Sequence, residues 1–86
     1  MINSQNDLVA WVMLVYELED AQDGLKSLLE DMAKEKEFDE VEFSIHMAHI
    51  FSHLNRAWNA RNATEEQHQD NALWEEWRKF PTDLEL

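Results

Sequence analysis

Apolar residues in this chain recur mainly at steps of three and four, the spacing of helices rather than strands. The longest series is Trp11, Leu14, Val15, Leu18, Ala21, Leu25, Leu28, Leu29 and Met32. It keeps phase across Gly24, so the pattern predicts one helix over about 6–36, with Ser4 and Asn6 as candidate caps. On this stripe Gly24 falls on the opposite, polar side, where a glycine costs about 1 kcal/mol of helix propensity but disturbs no packing. The competing reading is a turn at Asp23-Gly24; the unbroken stripe favours a single helix. A second series, Phe43, Met47, Ile50, Phe51, Leu54, Ala57 and Trp58, predicts a helix over about 40–62, capped by Asp39 with Glu42 three residues on. Thr64 and Gln67 form another capping box and open a third helix over about 65–80, with Leu73, Trp77 and Phe80 facing inward. Pro81 stops it and leaves 81–86 as a tail, loose or docked by Leu84.

Two segments carry more apolar surface than one stripe. Leu8 to Tyr16 is an unbroken apolar run of nine residues, and Val9, Val12, Met13 and Tyr16 lie off the long stripe. The second helix has a weaker stripe, Val41, Ile45 and Ala48, on its far side. A helix that is apolar on several sides must be covered on several sides. A chain of 86 residues buries only about 60–65% of its unfolded surface, so its own core is thin. With no cysteine, oligomerisation or a metal remains as reinforcement. The expected fold is therefore all-α: a single domain, 1–86, built as a long antiparallel helical hairpin with a short third helix across it. Two copies are expected to pair into a bundle through Leu8, Val9, Val12, Met13, Tyr16 and Ile45.

Composition narrows the functional classes. Asp and Glu number 19 against 7 Lys and Arg, a net charge of −12, the wrong sign for neutralising phosphates or anionic lipid. Direct nucleic-acid or membrane binding is thus not expected, whereas a basic protein partner fits. The nine-residue apolar run is far below the ~20 residues that span a bilayer. No Lys or Arg precedes it, which makes it a poor signal peptide, so the expected location is cytoplasmic.

One grouping could carry chemistry. His46, His49 and His53 recur at steps of three and four, with Glu42 one turn before. Imidazole and carboxylate suit zinc or iron, and bundles build such sites from facing helices. His46 and His53 stand about 10 Å apart along the axis, too far to share an ion, so a site needs His49 plus a neighbour, completed by the first helix or another chain. The plainer reading makes all three half-buried edge residues.

Other pairings carry less. Glu65 and His68 form a single Glu-x-x-His pair, and the glutamate suits a helix start. Glu17-x-x-Asp20 and Glu37-x-x-Glu40 invite a magnesium pyrophosphatase reading. However, 11 acids against three lysines between Glu17 and Glu42 make such pairs expected by chance. No histidine has the lysine and glycine that follow it in phosphotransfer bundles. Trp11 and Trp58 are placed where the two long helices meet, and Arg56 and Arg61 are free to pair with acids of the first helix. Trp74, flanked by Glu75 and Glu76, is a candidate partner-binding anchor. The leading expectation is an acidic homodimeric interaction module (an inhibitor, antitoxin-like neutraliser or adaptor) that takes a basic protein surface and needs no cofactor. The alternative is a metal-dependent helical-bundle enzyme using Glu42, His46, His49 and His53.

Overall fold

A computed structural model describes residues 2–3, 5, 7–35 and 37–86. The described residues are all-helical: α1 (Leu8–Lys34), α2 (Glu40–Asn59), α3 (Glu65–His68) and α4 (Asn71–Trp77). Asp7 caps α1 by accepting from the Ala10 amide. The candidate caps Ser4 and Asn6, and the expected helix end at Lys36, lie outside the described residues. α1 runs through Gly24 without a break, as the phase of the stripe implied. Asp39 caps α2, accepting from Val41 at 2.7 Å.

The expected third helix is two. Its capping box at Thr64 and Gln67 is present, but α3 stops after one turn. Asp70 then accepts from the amides of Ala72 and Leu73 and starts α4 afresh. A short acidic side chain that caps its own downstream amides competes with helix continuation, and that local bond decides here. α2 ends at Asn59 rather than 62, closing with a turn in which Ala63 N donates to Ala60 O. α4 ends at Trp77, ahead of Pro81.

α1 and α2 form an antiparallel hairpin, as Glu17 against His53 and Asp31 against His46 at its two ends require. The contact row on α1 is Glu17, Ala21, Gly24 and Leu28, with Ile50 and Ala57 from α2. Gly24 is therefore not on the polar side. A Cβ there would stand 3.0 Å from Ile50 Cγ1 and 3.6 Å from His49 Cδ2, so the glycine lets the helices approach closely. This corrects the sequence reading, and the reason is geometric. The apolar stripe is wider than one neighbouring helix can cover, and α2 packs on its edge rather than its middle.

The hairpin consequently has two unlike flanks. Leu18 and Leu25 follow Glu17 and Gly24 of the contact row by one residue, about 100° round the helix, and Trp11 and Met32 continue their heptad in either direction. They remain 38–48% exposed, and Leu29 is 65% exposed. Phe51 and Leu54 of α2, both also exposed, lie on the same flank. On the other flank Asp20, Asp23 and Ser27 face His46, His49 and His53 across an open groove. No large side chain of the described residues is fully buried.

α4 packs across the end of the hairpin and is held by α2. Asn55 Nδ2 donates to Arg78 O (2.9 Å), and Asn59 Nδ2 to Trp77 O (2.8 Å). Arg56 is buried, with its guanidinium 4.1 Å over the Trp74 ring. The tail returns to α2, where Trp58 Nε1 donates to Asp83 Oδ1 at 2.9 Å and Phe80 meets Phe51 edge-on at 5.2 Å. Arg61 stacks on Trp58 (3.9 Å) and pairs with Asp83 (3.6 Å). Arg56 and Arg61 thus serve α4 and the tail rather than acids of α1. Trp58 engages the tail, and Trp11 lines a shallow cleft beside Arg61 and Asn62.

Candidate functional site

His49 precedes Ile50 by one residue, and His46 and His53 precede Ile50 and Ala57 by four, so all three fall to the same side of α2's contact row and line the groove. Each finds a different environment. His53 is the most enclosed: its Nδ1 stands 2.7 Å from Glu17 Oε2 and 3.9 Å from Asp20 Oδ2, with the His53 and Glu17 side chains only 13% and 10% exposed. A carboxylate and an imidazole so sheltered satisfy each other, which lets Glu17 occupy the contact row at all. His49 lies edge-on to His53, ring centroids 4.6 Å apart, and is exposed. His46 Nε2 faces Asp31 Oδ2 at 3.7 Å near the closed end of the hairpin, beside the half-buried ring of Phe38 (6.0 Å).

The expected quartet of Glu42, His46, His49 and His53 is therefore divided. Glu42 and His46 come together with Asp31 of α1, their ligand-capable atoms all within 4.8 Å of one another. His49 and His53 belong to a separate arrangement with Glu17 and Asp20. Asp31 and the partnership of Glu17 with His53 were not identified from sequence. The signal was present: Glu17, Gly24 and Asp31 stand seven residues apart, a non-apolar heptad row beside an apolar one. Which row faces α2 is a tertiary fact.

The residues expected to mediate dimerisation are mostly open. Leu8, Val9, Tyr16 and Ile45 are 65%, 40%, 57% and 66% exposed. Val12 is half-buried. Met13 is half-buried too, lining a cavity of about 10 Å³ with Arg56, Trp74 and Trp77. Ile45 borders the histidine groove. Trp74 is half-buried beneath Arg56, while Glu75 and Glu76 make i,i+3 pairs with Arg78 (3.2 Å) and Lys79 (2.9 Å). Glu65 is exposed, and His68 instead turns its ring onto Trp77 (5.4 Å) with both ring nitrogens buried and unpartnered. Among the described residues no helix is long and apolar enough to cross a membrane.

No protein-family model matches this chain, and neither does any curated protein or solved structure.

Proposed function

We propose that this chain is a self-associating acidic interaction module, in which an apolar flank joins two copies and the acidic surface receives a basic protein. The observation that carries this reading is surface area. A compact monomer of 10.3 kDa exposes about 5,400 Å² on the usual mass scaling. This chain exposes 6716 Å². The excess, about 1,300 Å², exceeds the ~800 Å² per partner of a standard interface. Its radius of gyration, 14.9 Å, likewise exceeds the ~12 Å of a compact chain this long.

The occupant of the apolar flank is a second copy. Leu18, Leu25 and Leu29 form the centre of the contact, and Leu8, Val9, Tyr16 and Ile45, which periodicity favours, are exposed as well. A net charge of −12 then supports recognition of a basic partner, whose binding weakens steeply with salt.

Sedimentation equilibrium on untagged protein tests the reading. Wild type sediments as a dimer at micromolar concentration. The double substitution L18E/L25E places like charges in the centre of the contact and yields a folded monomer by far-UV circular dichroism. A wild-type monomer under these conditions refutes the proposal, as does a dimer that L18E/L25E leaves unchanged.

A further inference from the structure

We infer that Asp31, Glu42 and His46 form a binding site for a divalent transition ion of the zinc class, bridging α1 and α2 at the closed end of the hairpin. Two observations converge on it. The ligand-capable atoms already lie within 4.8 Å of one another. Ligands of an ion with bonds of ~2.0–2.1 Å stand about 3.0–3.4 Å apart, so closure needs only side-chain movements of an ångström or so. The three groups come from fixed helical positions: Glu42 and His46 are one turn apart on α2, and Asp31 lies in the last turn of α1.

The donor set selects the ion. Imidazole nitrogen with two carboxylates suits zinc, cobalt, iron(II) or manganese, whereas magnesium and calcium prefer oxygen alone. The Phe38 ring of the connecting segment stands beside the imidazole, ring centroids 6.0 Å apart. Three protein ligands leave coordination positions for water, the open arrangement of reactive rather than purely structural zinc sites. The ion also ties the two helices together where the hairpin turns, so metal and fold are coupled. His49 and His53 take no part. The site lies within one chain and does not rest on the pairing of copies proposed above.

The test is isothermal titration of untagged apo-protein with zinc chloride, together with the visible absorption of the cobalt(II) form. Wild type binds one ion per chain, and zinc raises the melting temperature. D31N and H46Q each weaken zinc by ~10-fold or more and abolish the thermal shift, whereas H49A and H53A change affinity by less than about threefold. Far-UV circular dichroism of the metal-free variants confirms that each is folded. Binding that survives D31N or H46Q overturns the assignment. So do dependence on His49 or His53, a stoichiometry of one ion per two chains, and the absence of binding by folded wild type. Sedimentation of the same samples keeps a failure of dimerisation distinct from a failure of metal binding.

Discussion

Substituting Gly24 by alanine decides between two placements of the long helix, because they predict opposite signs. If Gly24 faced solvent, as the centre of the apolar stripe implies, alanine would stabilise the helix by about 1 kcal/mol through propensity alone. In the structure the added Cβ meets Ile50 Cγ1 at 3.0 Å. Ordinary contact begins at 3.4 Å, so Ile50 must give way by a few tenths of an ångström. Ile50 is 3% exposed, and as a β-branched residue on a helix it has a stiff χ1, so it does not step aside easily. Overpacking of this kind costs about 1–3 kcal/mol. Set against the propensity gain, the expected outcome is a net loss of about 1 kcal/mol.

The assay is urea unfolding followed by circular dichroism, run as a double-mutant cycle with Ile50→Ala. An excluded osmolyte keeps all four proteins folded. Once Ile50 is truncated the clash disappears, and Gly24→Ala should then stabilise by about 1 kcal/mol, a coupling of about 2 kcal/mol between the positions. A stabilisation of equal size in both backgrounds would place Gly24 in solvent and refute the helix crossing on which the groove and both flanks depend.

Four further outcomes are expected. His68 buries both ring nitrogens without a partner, so His68→Leu should raise stability by about 1 kcal/mol, read from the urea midpoint; a fall would mean that the ring is satisfied after all. The indole of Trp58, with help from Arg61, holds the exposed Asp83 carboxyl below its ordinary value of 3.8. The tail contact is therefore complete above the unfolded carboxylate's pKa of ~3.9 and is lost as pH falls through the lower folded value. The Trp58 indole proton resonance should report this by shifting only in strong acid, and a change beginning near neutrality would break the argument. L18E/L25E should convert dimer to folded monomer, and D31N or H46Q should remove zinc-dependent stabilisation, each by the measurements described above.

Much of the local structure was legible in the residues themselves. Helical spacing, one glycine, one proline and the caps at Asp39 and Thr64 specify where helices begin and that no strand competes, since these are interactions among near neighbours in the chain. The break at Asp70 was equally local but went unread, because the capping box at Thr64 with the apolar residues Leu73 and Trp77 suggested a continuous element. The histidines were visible as a group, but their division between Asp31 and Glu17 was not, because their partners lie on another helix.

Only the tertiary structure decided which edge of a broad apolar stripe meets α2. Periodicity reports the average direction of hydrophobicity round a helix, and one neighbour covers only part of so wide an arc. The crossing at Gly24 settles the rest: it turns Glu17, Asp31 and the histidines toward one another and leaves Leu18, Leu25 and Leu29 facing outward. Local rules could not have chosen this orientation, because it follows from how closely two backbones approach at the one residue that lacks a side chain.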